Sequence, residues 1–197
     1  MTEQGLPAHA SVVVIGGGVM GCSTLYHLAE MGVTAAVLLE RNNLTSGTTW
    51  HSAAQVRALR HSRNLTRMIQ YSVDLYSRLE EETGQAVGWI QKGSLSIATT
   101  PDRLTHIRRQ EALAQGFGVK AQSISKDEAK ERWPLMNADD VIGAVWSPDD
   151  GRVSPSDVCA ALVKGAKTRG ATIFEDTPVT GILTEGGRVV GVDVDGH

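Results

Sequence analysis

The stretch Val12-Val13-Val14-Ile15-Gly16-Gly17-Gly18-Val19-Met20-Gly21 decides the fold of this chain. Four β-branched residues in a row read as a buried strand, and the strand runs directly into closely spaced glycines that open a helix. Each glycine of the G-x-G-x-x-G pattern has its own mechanical task in holding a dinucleotide. Gly16 permits the tight turn off the strand, Gly18 lets backbone approach a pyrophosphate, and Gly21 lets the helix pack close to the sheet. Val19 and Met20 sit between them, where the free N–H groups and the positive dipole end of the helix face the phosphates. A second apolar strand ends on Glu40, which follows Gly21 by 19 residues, near the spacing of a carboxylate that takes ribose hydroxyls. These features give a βαβ dinucleotide site and leave open which dinucleotide it holds.

The next segment narrows the choice. After Glu40-Arg41 the chain reads Asn42-Asn43-Leu44-Thr45-Ser46-Gly47-Thr48-Thr49-Trp50-His51-Ser52-Ala53, polar and turn-prone where an NAD enzyme would enter another helix. Ser46, Thr48 and Thr49 offer hydroxyls, and Gly47 allows close backbone approach to a second part of a cofactor. With Leu79-Glu80-Glu81-Glu82-Thr83-Gly84, Gly88-Trp89-Ile90-Gln91, Trp133-Pro134-Leu135-Met136-Asn137 and Pro178-Val179-Thr180, this loop resembles the dimethylglycine and sarcosine dehydrogenase family, flavoenzymes of the amine and D-amino-acid oxidase group. The resemblance runs along essentially the whole chain.

That resemblance implies FAD, joined covalently to the histidine after the Thr-Trp pair, here His51. A neutral imidazole nitrogen is a suitable nucleophile toward the flavin 8α-carbon near physiological pH. The family usually carries Gly-Leu soon after the histidine, and this chain has Ala54-Gln55-Val56. The implied reaction oxidises an N-methyl carbon of a small methylated amine to an iminium, which hydrolyses to formaldehyde or passes to tetrahydrofolate. Cofactor-contacting positions implied are Gly16, Gly18, Val19, Met20, Gly21, Glu40, Arg41, Ser46, Gly47, Thr48, Thr49, His51 and, against the adenine, Val179. The electron acceptor and the catalytic side chains stay unassigned, since family residues around the substrate amine fall past His197.

Composition is that of an ordinary globular protein, 41% hydrophobic and 21% charged. A net charge of −3 argues against nucleic acid as a main partner. No apolar run approaches the roughly 20 residues that span a bilayer, and Met1-Thr2-Glu3-Gln4-Gly5 shows neither a basic leader nor an arginine-rich one, so the cytoplasm is the expected location. Cys22 and Cys159 fit no metal spacing. Cys22 reads as a small buried hydrophobe on the helix after the glycine turn. No metal, Ser-His-Asp or paired-carboxylate constellation emerges from His9, His27, His106 and His197.

Periodicity and punctuation outline the remainder. Helices are expected from about Val19 to Met31, stopped by Gly32, and from about Asn64 to Thr83, with Leu65, Met68, Ile69, Leu75, Tyr76 and Leu79 on the apolar face. Short strands are expected between Val87 and Ala98, a helix from Pro101 to about Gln115, and a capping box at Ser125-Lys126-Asp127-Glu128 opening a helix that Pro134 stops. Val141–Trp146 reads as a strand, Pro155 to Arg169 as a helix capped by Ser154, Thr172–Glu175 as a strand, and Val179–Thr184 with Val189–Val194 as a hairpin turning at Gly186-Gly187. Arg57, Arg60, His61, Arg63 and Arg67 read as a solvated basic run, and Trp89, Trp133 and Trp146 as core filling.

The expected architecture is α/β. A Rossmann-like FAD-binding domain (residues 1–86 and 148–197) is interrupted by a strand-rich substrate-domain excursion (residues 87–147). Family members need about twice this length for the flavoprotein unit, so the chain is expected to be a fragment, inactive by itself. The competing readings are a glycine or D-amino-acid oxidase-like enzyme with non-covalent FAD, a non-catalytic dinucleotide-binding fragment, and an NAD-dependent dehydrogenase, the last weakened by the loop after Glu40.

Overall fold

The computed structural model describes residues 5–194; Met1–Gln4, read above for a leader, and His197 lie outside the described residues. In chain order the elements are β1 (Val12–Ile15), α1 (Val19–Glu30), β2 (Ala36–Leu39), a 3-10 turn (Thr48–His51), β3 (Gln55–Val56), α2 (Arg63–Thr83), β4 (Ser94–Ala98), α3 (Pro101–Gly116), β5 (Gln122–Ile124), α4 (Lys126–Arg132), β6 (Gly143–Ser147), β7 (Gly151–Arg152), α5 (Pro155–Thr168), β8 (Thr172–Phe174), β9 (Val179–Glu185) and β10 (Arg188–Val194). They form two compact units, one of residues 1–53, 78–88 and 154–197, the other of residues 54–77 and 89–153.

The first unit is built on a parallel sheet of order β1-β2-β8, with Val12 opposite Ala36 and Val37 opposite Thr172. All four residues of β2 are buried, as an uninterrupted Ala-Val-Leu-Leu run requires of a parallel strand covered on both faces. α1 stops where Gly32 adopts φ +87°, its N–H returning to Ala29 O. Leu25, Tyr26 and Ala29 bury on α1, and Val158, Leu162 and Ala166 on α5, which packs against it. Gly165 makes room for the Tyr26 ring, since a Cβ there would lie 2.7 Å from Tyr26 Cε2. β9 and β10 form the expected hairpin, turning at Gly186 (φ +55°) and Gly187 (φ +76°), a pair of left-handed conformations suited to a two-residue loop. Val194 packs with Val37, Leu39 and Val179.

The second unit carries an antiparallel sheet of order β4-β6-β5, with α3 packed upon it through Ile107 against Ala98 and Val145. Thr100 caps α3 by accepting from Arg103 N–H, and Pro101 occupies the first turn, where its missing donor costs nothing. The capping box of α4 is present in both directions: Glu128 N–H donates to Ser125 Oγ, and Ser125 N–H donates to Glu128 Oε2.

Several expectations require correction. Leu65 and Met68 are 51% and 66% exposed, whereas the polar Thr66 beside them is fully buried. Its hydroxyl donates to Ser62 O and accepts Arg60 N–H, so burial there follows hydrogen-bond satisfaction rather than the apolar pattern. Trp133 is 56% exposed and fills no core. Between Val87 and Ala98 a single strand forms, β4; Ile90 contributes only an isolated bridge to Arg152. Ser154 holds the cap position of α5 without a side-chain bond. The short β3–β7 pair and β5 were not anticipated, being too brief to show a period. Among the described residues, no helix is long and apolar enough to cross a membrane.

Candidate functional site

At the carboxyl ends of β1 and β2 the glycine turn, Glu40 and the 42–51 loop of the first unit come together, where a parallel α/β sheet offers its crevice. Gly16 takes φ +103°, and its N–H donates to Leu39 O at 2.8 Å. Gly18 caps α1 in an ordinary extended conformation, φ −79° and ψ 179°. A Cβ on Gly21 would lie 1.9 Å from Gly16 O, so this glycine is needed for the helix to sit against the turn. On Gly18 a Cβ would meet only Thr49 Oγ1, at 3.1 Å, so its lack of side chain serves the space in front of the turn rather than the backbone.

Glu40 is buried and straps the turn. Its Oε2 accepts Gly17 N–H at 2.6 Å and its Oε1 accepts Asn42 N–H at 2.9 Å. Both oxygens keep a second lone pair for a hydroxyl donor. The strap escaped the sequence reading, which gave Glu40 a ligand contact only; the hint was its position at a strand end facing Gly17. Asn42 is held in turn by Asp176 N–H, and Leu44 N–H donates to Glu175 Oε1 at 2.5 Å, so the segment after β8 braces the loop. Thr45, at φ +64°, donates its N–H to Gly17 O.

The 3-10 turn is docked on the start of α1, because Thr49 Oγ1 accepts Val19 N–H at 2.9 Å. Met20 and Gly21 N–H have no acceptor among the described residues, and the first turn of α1 carries no acid. Those donors, at the positive end of a 12-residue helix with a glycine in front, fit the phosphates of a dinucleotide. His51 is exposed, its ring 4.1 Å from that of Trp50. Its Nδ1 lies 3.1 Å from Gly47 O. A carbonyl only accepts, which assigns the proton to Nδ1 and leaves the Nε2 lone pair facing solvent in the neutral ring. Arg41 and Ser46 are exposed at the loop surface, Gly47 and Thr48 lead into the turn, and Met20 is exposed beyond it. Val179 stands elsewhere on the same unit, half-buried at the start of β9 against Leu39 and Val194.

Cys22 is fully buried behind the turn, its thiol 3.4 Å from Gly17 O. The hydrogen-bonded Cys159 and burial push the Cys22 thiol far up, so it stays protonated and packs as a small hydrophobe. Among the described residues, no group of histidine, cysteine and carboxylate side chains can hold a metal ion.

Known proteins share both this sequence and this fold. Residues 11–197 match the family described as FAD dependent oxidoreductase. Sarcosine dehydrogenase of Homo sapiens, a mitochondrial protein, is 48% identical over 178 residues, 90% of this chain and 19% of its own length. The mitochondrial pyruvate dehydrogenase phosphatase regulatory subunit of Mus musculus is 40% identical over 190 residues, 96% of this chain and 22% of that protein. The crystal structure of L-proline dehydrogenase from P. horikoshii superposes with a TM-score of 0.90 at 31% identity, covering 96% of this chain and 50% of that one. The chain thus spans about a fifth of the length of the curated relatives it matches. The glycine turn, the acid that straps it and the match over residues 11–197 agree: the chain belongs to the FAD dependent oxidoreductase family.

Proposed function

We propose that this chain is the flavin-binding part of an FAD-dependent dehydrogenase that oxidises the N-methyl C–N bond of sarcosine- or dimethylglycine-like amines, with FAD attached through His51. The observation that carries this reading is the docking of the Thr48–His51 turn onto the first N–H of α1, which sets a histidine with a free Nε2 beside a phosphate-binding helix start. Gly16, Gly18, Gly21 and the N–H groups of Val19 and Met20 would hold the pyrophosphate. Glu40 would take the ribose, and Ser46, Gly47, Thr48 and Thr49 would line the path toward His51. When bound, FAD supplies the two-electron acceptor for the amine carbon; the chain binds it and orients it toward His51.

Residues 1–86 and 148–197 are read as the flavin side and 87–147 as the substrate side. The two compact units support this division in outline, except that residues 54–77 and 148–153 group with the substrate side and residues 87–88 with the flavin side. Acid precipitation of the holoprotein tests the attachment: yellow colour should remain in the pellet and leave it in His51→Ala. Colour wholly in the supernatant of the unaltered protein refutes the covalent reading. The likeness to a phosphatase regulatory subunit favours a second reading, a flavin-binding chain without turnover. Bleaching of the bound flavin by anaerobic sarcosine separates the two.

A further inference from the structure

The loop that carries His51 is gripped by an exposed side chain directly after β8, Glu175. Its Oε1 accepts Leu44 N–H at 2.5 Å, from a residue 131 positions away in the chain. The connector that begins at Glu175 lies along the first residues of the loop: Asp176 N–H donates to Asn42 O at 3.1 Å, and Thr177 N–H donates to Glu40 O at 2.8 Å. Asp176 holds φ +50°, a left-handed conformation that aspartate tolerates better than most residues, and the Thr177 hydroxyl donates to Glu175 O at 2.8 Å. Of the three bonds from the connector to the loop, only the one to Leu44 is made by a side chain. It is therefore the one that a single substitution can release.

Between Leu44 and His51 the loop has further anchors. Thr45 N–H donates to Gly17 O at 3.0 Å, Ser46 N–H turns back to Asn43 O at 3.2 Å, and Thr49 Oγ1 accepts Val19 N–H at 2.9 Å. The half-buried Leu44 side chain lies over Gly17, where an added Cβ would stand 2.5 Å from Leu44 Cδ2. Gly47 O then holds the His51 ring at Nδ1. Glu175 thus sets the near end of a segment whose far end presents Nε2. Bond formation between two held groups is steeply sensitive to such placement, since a misplacement of about 1 Å can cost about a hundredfold in rate.

We propose that Glu175 is a positioning residue for flavin attachment: by accepting Leu44 N–H it sets the loop so that His51 Nε2 meets the flavin 8α-carbon. The assignment rests on the covalent reading above. Attachment joins Nε2 to that carbon; one methyl proton and the imidazole proton leave to water, and the electron pair of the broken C–H bond reduces the flavin, which dioxygen reoxidises with formation of hydrogen peroxide. The test gives FAD, in air, to the 197-residue chain purified without flavin and follows acid-insoluble flavin with time. Non-covalent affinity is read separately by flavin fluorescence in a His51→Ala background. Glu175→Ala should slow attachment about tenfold, the scale of one charge-assisted hydrogen bond, with FAD affinity within about twofold of the parent's. Glu175→Gln keeps an acceptor oxygen at the same reach and should attach at the parent's rate, whereas Glu175→Asp, one methylene shorter, should be as slow as the alanine variant. Glu175 is exposed, so these substitutions leave the core intact. Thr177→Val removes a hydrogen bond inside the connector without touching the loop and should not change the rate. Attachment at the parent's rate in Glu175→Ala, a glutamine variant as slow as the alanine one, or an equal fall in FAD affinity would each overturn the assignment and leave the covalent reading standing. No acid-insoluble flavin in the unaltered protein would overturn the covalent reading, and the assignment with it.

Discussion

Gly21→Ala is the most demanding test of the glycine turn, because the perturbation is one methyl group and its collision partner is backbone. The new Cβ would stand 1.9 Å from Gly16 O, whereas carbon and oxygen settle at roughly 3.2 Å or more. A separation of more than an ångström must then come from the helix or the turn. Neither yields easily: Gly16 is fixed at φ +103° with its N–H on Leu39 O, Gly17 N–H is held by Glu40, and α1 is packed on α5 through Tyr26 and Leu25. Overpacking of this kind costs up to about 3 kcal/mol. Replacing glycine inside a helix returns about 1 kcal/mol of conformational entropy, so the net loss should be about 2 kcal/mol. For a chain of this length that is a fall in Tm of about 4–8 °C. Thermal melts by far-UV circular dichroism would read it, with Gly47→Ala as the control, since Gly47 has φ −88° and nothing within 4 Å of its Cβ position. The control should melt within about 1 °C of the parent. A Gly21→Ala protein that matches the parent in Tm and in FAD binding would refute the packing argument.

Gly18→Ala puts a Cβ 3.1 Å from Thr49 Oγ1, the acceptor of Val19 N–H, on a backbone (φ −79°) that accepts a side chain, so it should lower Tm less than Gly21→Ala while losing FAD binding by fluorescence titration, and unchanged FAD binding would contradict the reading. Glu40→Ala leaves Gly17 and Asn42 N–H without their acceptor in a buried corner, and should cost about 1.5–3 kcal/mol in urea unfolding while weakening FAD binding, with Glu40→Gln milder. Tyr26 donates to Glu82 Oε2 at 2.7 Å; burial and then this bond push the Tyr26 phenol up to about 12, and the bond from Tyr26, followed by Arg78, holds Glu82 below the usual carboxylate range. The raised phenol contributes stability below about pH 10 that is lost as pH climbs toward 12, and the lowered carboxylate contributes above its ordinary range what is lost as pH falls through its folded value. Tyr26→Phe should therefore flatten the dependence of Tm on pH at both ends, and unchanged slopes would show that the pair is not coupled to folding.

What could be read in advance was whatever a local pattern enforces. β1 and β2 are continuous apolar runs, α4 opens with its capping box, and the hairpin turns at two glycines; each is decided within a few residues, and each stands where expected. The misses share one cause, a partner distant in sequence. Thr66 is buried because Arg60 and Ser62 satisfy its hydroxyl, and β3 exists only because β7, nearly a hundred residues on, supplies its pairing. The two carboxylates at the heart of the two units make the same point more sharply. Glu40 could be singled out by its distance from the glycines, but its grip on Gly17 depends on a fold that returns β2 beside β1. Asp150 carried no signal beyond membership of a turn, yet it is the buried group that joins Ala58 to Ser94 and faces Arg57. A charged side chain that takes its donors from the segment after β3 and from β4 has no signature in either of them. Glu40 and Asp150, buried carboxylates with donors remote in sequence, are therefore where this chain's sequence under-reports its structure.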